Sequence, residues 1–221
     1  MSVDGVCDGP PSPKPRDYYS QDRADLVTQL PRPLGNVLDV GCGEGGVAEG
    51  LRAAGATRLT GIELDSRAAR LAKPRYDEII QGDAEVVLAS LAGPFDTILC
   101  YDVLEHLRDP PAVLHRLCRI AGERARLHVS VPNARHYSLL RDLAFRGTFG
   151  YTEWGHRDTT HLRWFTRRDI VSLLESCGWV VRSVSHPVPS QLTHVLDRLT
   201  RGRSTEFIVG QWYVLASARP T

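Results

Sequence analysis

The segment Val37–Gly46 reads VLDVGCGEGG and constrains the fold more than any other feature of the chain. An apolar run of strand type stops at Gly41, Gly43 and Gly45, so a buried strand must turn directly into a helix there. Glycines at those points permit positive φ and let a ligand lie against backbone N–H groups at a helix start. The following sequence keeps the same rhythm. Apolar runs at Asn36–Val40, Arg58–Leu64, Glu78–Ile80, Phe95–Tyr101 and Arg126–Val131 suit buried parallel strands, and helical patterns such as VAEGLRAAGA, SRAARLAK, AEVVLASLA and PPAVLHRLCRIAG separate them. Strands alternating with helices predict an α/β fold with a doubly wound, mostly parallel sheet. Thr166 and Asp169 form a capping-box variant that predicts a helix over Thr166–Cys177. Two β-type runs close the chain, WVVRSVS and EFIVGQWYVLAS, with a further helix expected between them.

At 221 residues the chain is long enough for one domain with a modest elaboration. Residues 1–16, rich in Pro, Gly and Asp, read as a flexible tail, and 17–221 as a single domain. An amphipathic helix is expected from Tyr18 to Leu30, ended by Pro31 and Pro33. The polar, glycine-bearing and aromatic stretch at about 132–165 is expected to be a lid over a substrate. The start of the chain has no apolar signal core, and no stretch approaches a membrane span, which predicts a cytoplasmic protein with no membrane partner. Cys7, Cys42, Cys100, Cys118 and Cys177 contain no CxxC pair and read as reduced thiols.

Charge narrows the chemistry. Lys and Arg total 27 against 26 Asp and Glu, so no whole-chain field draws nucleic acid. Only Lys14 and Lys73 are lysines. Neither follows the glycine loop as a P-loop requires, no Tyr-x-x-x-Lys pair exists, and Schiff-base chemistry has almost no candidates. Gly41, Gly43 and Gly46 do satisfy G-x-G-x-x-G, and Glu63, at the end of the second strand, can accept both hydrogen bonds of a ribose diol. Dinucleotide and other nucleoside cofactors share those features.

The remaining motifs separate them. With VLDVGCGEG, GIEL (61–64), GDAE (82–85) and FDTILCYDVLEHL (95–107) in order, the chain resembles the class I S-adenosylmethionine-dependent methyltransferases over roughly Tyr18–Trp179. The resemblance implies a Rossmann-like sheet of seven strands, the last antiparallel. It also implies roles: the backbone around Gly41 and Gly43 approaches the methionine portion of S-adenosylmethionine, Gly45 belongs to the same cofactor-binding loop, Asp39 helps hold the amino group, Glu63 binds the ribose, and Asp83 with Ala84 meets the adenine. Asp102 completes an acidic series suited to a cationic cofactor.

The acceptor side centres on Asp102, Glu105, His106 and His161. On a helix starting near Val103 the first three would share a face. His161 or His106 would then serve as general base, or all four would bind a divalent metal ion that acidifies an acceptor hydroxyl, or the Glu-His pair would only cap the local helix. The D-x-x-E-H spacing with a distant His is similar to the E-x-x-E-H…H metal site of small-RNA 3′-end methyltransferases, and to the E-V-L-E-H segment of ubiquinone-pathway O-methyltransferases. Asp102 replaces their Glu with a shorter side chain. Phe149, Tyr151, Trp154 and Trp164 could wall a planar acceptor, and Arg135, Arg141, Arg157 and Arg163 could hold an acidic one. Arg198, Arg201 and Arg203 read as the basic end of the last helix. The expected activity is methyl transfer to a small molecule, at a hydroxyl oxygen, in a biosynthetic pathway. Transfer to RNA 3′ ends or other nucleic acid, N-methylation, and noncatalytic binding of S-adenosylmethionine are the alternatives.

Overall fold

A computed structural model describes residues 23–187 and 204–219. Seven strands form one sheet: β1 (Gly35–Val40), β2 (Ala56–Glu63), β3 (Glu78–Gln81), β4 (Phe95–Tyr101), β5 (Ala121–Pro132), β6 (Trp179–Ser185) and β7 (Gln211–Ala218). Their spatial order is β3-β2-β1-β4-β5-β7-β6. The first five run parallel, and β7 lies antiparallel between β5 and β6. The expected α/β sheet is present, with the antiparallel β7 that the resemblance implied.

The strands read as continuous apolar runs because both faces are covered. Side-chain alternation sends Leu38 and Val40 into one apolar cluster with Ile98, Leu127 and Trp179. It sends Val37 into the other with Leu51, Leu59 and Leu99. After β1 the chain builds outward through β2 and β3, then returns to place β4 on the opposite side of β1. Crossovers diverge at that pair, which opens a crevice beyond the strands' carboxyl ends.

The helices in chain order are α1 (Ala24–Val27), α2 (Ala48–Ala53), α3 (Ser66–Ala72), α4 (Ala84–Val87), α5 (Pro110–Ile120), α6 (Tyr137–Arg141) and α7 (Arg167–Ser176). Asp65, Asp83 and Asp109 cap α3, α4 and α5 by accepting from Ala68, Glu85 and Ala112 backbone N–H groups. Thr166 and Asp169 complete both bonds of the expected capping box on α7.

Several boundaries differ from the sequence reading. Within the span predicted as a helix at Tyr18–Leu30, only Ala24–Val27 is helical among the described residues. The helix expected over AEVVLASLA stops at Val87. The half EFIV of the last β-type run is instead a helical turn, Thr205–Ile208. Asn133 holds that turn through Nδ2 bonds to the carbonyls of Glu206 and Val209, each 2.8 Å, so a tertiary contact overrides β propensity. The tail at 1–16, Cys7, most of the span of the helix expected between the two closing β-type runs, and Arg198, Arg201 and Arg203 lie outside the described residues. Cys42, Cys100, Cys118 and Cys177 are free thiols. No helix among the described residues is long and apolar enough to cross a membrane.

Between β5 and α7 the chain forms α6 and a wider turn, Asp142–Arg146, ended by Gly147 in the left-handed region. Asp142 is buried there, and Arg141, Arg146 and Arg157 all reach its carboxylate. These bonds hold its carboxyl below the ordinary carboxylate range against the opposing effect of desolvation.

Candidate active site

The crevice is a cleft of about 1200 Å³ reaching from the glycine loop to residues 154–162. Its floor starts where β1 ends. Gly41 adopts φ +73°, and a Cβ there would lie 2.5 Å from Val103 Cγ2, so only glycine fits between loop and β4 exit. Glu63, buried at the end of β2, accepts from Gly43 N through Oε2 and from Asp65 N through Oε1, both at 2.8 Å. Burial raises its carboxyl pKa, and those backbone bonds oppose the rise. Asp83 and Ala84 line the same cleft, with Asp83 also capping α4.

Asp39 is 2% exposed. Burial raises its pKa to about 7, moderated by a hydrogen bond from Tyr76 and reinforced by the Glu63 charge. The cleft thus holds dehydrated carboxyls beside a glycine cradle, a donor set that fits a cationic nucleoside cofactor.

Asp102, at φ +54°, serves a different cluster from the expected one. Its Oδ1 accepts from Ser130 Oγ and Gln211 Nε2, each at 2.9 Å, and Arg23 pairs with its Oδ2. Arg23 also donates to Gln211 Oε1 at 2.9 Å. Sequence reasoning missed Arg23. No motif surrounds it, and its partners come from distant segments.

The expected helix at Val103 is a short tight turn, Leu104–His106, and it removes Asp102 from the face shared by its neighbours. Glu105, His106 and His161 do meet: one ligand atom from each lies within 4.8 Å of the others. Backbone N–H groups of Leu162 and Arg163 donate to the Glu105 carbonyl at 2.8 and 3.0 Å, which brings His161 to this turn. His161 Nε2 stands 4.0 Å from Glu105 Oε1. The imidazoles of His106 and His161 meet edge to face at 4.7 Å. His106 Nδ1 lies 3.2 Å from the Thr160 carbonyl, which only accepts, so the proton belongs on Nδ1 and the lone pair on Nε2. Both Glu105 oxygens are buried without a hydrogen-bond partner among the described residues, and desolvation pushes its pKa to about 8. This donor set fits a divalent cation.

The acceptor side is simpler than expected. Trp154 lines the cleft, whereas Phe149 packs against Tyr151 and Trp164 beyond it. Arg135 pairs with Glu206, Arg141 and Arg157 with Asp142, and Arg163 donates to backbone carbonyls.

The sheet order, the antiparallel β7 and the acidic glycine-loop cleft are those of a class I S-adenosylmethionine-dependent methyltransferase. The chain belongs to the methyltransferase domain family, whose model matches residues 16–184. A ubiquinone biosynthesis O-methyltransferase of Thiobacillus denitrificans is 32% identical over 142 residues, 58% of this chain and 61% of that protein. One from Xylella fastidiosa is 33% identical over 127 residues, 54% and 51% of the two chains. The chain thus spans roughly half the length of the curated relatives it matches. A S-adenosylmethionine-dependent methyltransferase from Archaeoglobus fulgidus shares the fold, with TM-score 0.64, 18% identity, and coverage of 88% of this chain and 91% of that one.

Proposed function

We propose that this chain transfers the methyl group of S-adenosylmethionine to a hydroxyl oxygen of a small molecule in a biosynthetic pathway. In this reading Glu105, His106 and His161 hold a divalent cation. The observation that carries it is Glu105: both its carboxyl oxygens are buried with no hydrogen-bond partner among the described residues and one faces His161, so a bound cation would favour the charged form that burial disfavours.

S-adenosylmethionine supplies an electrophilic methyl group on a sulfonium, and displacement needs an aligned, deprotonated acceptor. Glu63 binds the ribose diol, Asp39 accepts from the α-amino group, Arg23 answers the carboxylate, and Asp83 with Ala84 borders the adenine. The cation held by Glu105, His106 and His161 would lower the pKa of an acceptor hydroxyl. Residues 132–165 act as the lid, with Trp154 as its apolar contact to the acceptor. The near-neutral net charge disfavours RNA as acceptor. The names of the ubiquinone-pathway relatives support oxygen as the methylated atom.

A second reading keeps His161 or His106 as a general base without metal, since the proton that His106 Nδ1 holds toward the Thr160 carbonyl puts its lone pair on Nε2. Three measurements decide. S-adenosylhomocysteine should bind in a calorimeter, more weakly to Glu63→Ala; absence of heat overturns the cofactor assignment. A chelator-sensitive thermal shift with stoichiometric metal by elemental analysis supports the cation, and an unchanged melting point leaves the base. A product screen with methyl-labelled cofactor should label a hydroxyl-bearing metabolite; label in RNA alone overturns the substrate class, and cofactor binding without turnover leaves a noncatalytic binder.

A further inference from the structure

Tyr76 follows α3 on the turn leading to β3, where nothing in the sequence marks it as functional. Its side chain is 7% exposed and its hydroxyl donates to Asp39 Oδ2 at 2.5 Å. The ring reaches Asp39 by passing two glycines. A Cβ on Gly45 would lie 3.0 Å from Tyr76 Cε2, and one on Gly61 would lie 3.2 Å from Cδ1. Any other residue at either position would press on the ring. These glycines therefore open a path for one phenol to one carboxylate.

We propose that Tyr76 is a positioning residue that fixes the Asp39 carboxylate for the α-amino group of the cofactor. The hydroxyl occupies Oδ2, sets the plane of the carboxylate, and leaves Oδ1 as the acceptor for the ligand. This inference rests on the reading of Asp39 given above, and the test separates the two.

The surroundings make that hydroxyl matter. Glu63 from β2, Cys42 from the glycine loop, and Cys100 and Tyr101 from β4 interact electrostatically with Asp39, and none supplies a positive charge. Arg75, on the same turn, places a cation near Tyr76. Burial favours the protonated acid, and the Tyr76 bond is the largest influence in the opposite direction. Loss of the hydroxyl therefore leaves Asp39 more protonated at neutral pH, a poorer partner for an ammonium group.

The test compares two ligands by calorimetry. S-adenosylhomocysteine carries the amino acid portion, and 5′-methylthioadenosine lacks it. For Tyr76→Phe we expect S-adenosylhomocysteine to weaken about tenfold at pH 7 and to recover most of that loss at pH 8.5, with 5′-methylthioadenosine unchanged. Tyr76→Met, of similar bulk and also without the hydroxyl, should show the same selective loss and stands in if the phenylalanine variant does not fold. Unchanged S-adenosylhomocysteine binding in either folded variant overturns the proposal. So does a parallel weakening of both ligands, the result of a merely structural role. Asp39→Asn reads the underlying assignment. If it leaves S-adenosylhomocysteine binding intact, the role of Asp39 fails; if it weakens binding while both Tyr76 variants do not, only the proposal fails.

Discussion

The carboxylate of Glu105 and the Nε2 of His161 lie 4.0 Å apart, and both side chains are almost wholly withdrawn from solvent. The loop carrying His161 reaches Glu105 through two backbone bonds to its carbonyl, so the spacing of the two residues is set by main chain rather than by mobile side chains. Glu105→Gln retains the shape and removes the charge. We expect it to abolish a metal-induced thermal shift and to lower kcat at least a hundredfold, with S-adenosylhomocysteine affinity within twofold of wild type. Retained metal stoichiometry in the variant would contradict the ligand assignment.

Arg23 ties the segment before α1 to Asp102 and Gln211 across the cleft floor. Arg23→Gln should raise KM for the cofactor about tenfold with a small change in kcat, because a guanidinium bond to a carboxylate is lost from ground and transition states alike. A change confined to kcat would place Arg23 at the reacting atoms instead.

These two cases show what the sequence can and cannot carry. Phe95–Tyr101 and Trp179–Ser185 are strands over the ranges the apolar runs predicted, because burial selects those residues locally. Thr166 and Asp169 likewise announce their helix through a bond between neighbours. Glu63 and the glycine loop are legible as neighbours because each follows the apolar run of a strand, and β1 and β2 end side by side so that Gly43 N–H reaches Glu63. Asp102 stands apart from Glu105, His106 and His161 because a single tight turn replaces the helix on which its position was reckoned. Arg23 and Tyr76 leave no local trace, since each acts through a partner set by sheet topology. The helical turn at Thr205–Ile208 was hidden for the same reason, as Asn133 imposes it from the residue after β5.

Arg157 connects residues 150–158 to α6 through Asp142 Oδ2 at 2.8 Å and the Phe149 carbonyl at 3.3 Å. Arg157→Ala should loosen that connection while Arg141 and Arg146 still neutralise Asp142. We expect the acceptor KM to rise several-fold, cofactor affinity to hold, and stability to fall by about 1 kcal/mol. Equal weakening of cofactor and acceptor would show that residues 132–165 do not act as a separate lid.

Burial of the Asp39 carboxyl lowers the stability of the protein at neutral pH and above. Its folded-state pKa is raised to about 7 from an ordinary 3.8. Between those values the folded chain keeps a proton that the unfolded chain releases. Stability therefore falls as pH rises through that window, and the loss is complete above pH 7. Asparagine cannot ionise, and its carbonyl can still accept from Tyr76. Asp39→Asn should thus be more stable than wild type at pH 8, by about 4 kcal/mol, with the difference vanishing toward pH 4. S-adenosylhomocysteine should bind the same variant at least tenfold more weakly. Thermal melts across pH without ligand, paired with calorimetry, check both effects. A variant that melts below wild type at pH 8 would mean that Asp39 stabilises the empty cleft, against the direction its burial imposes.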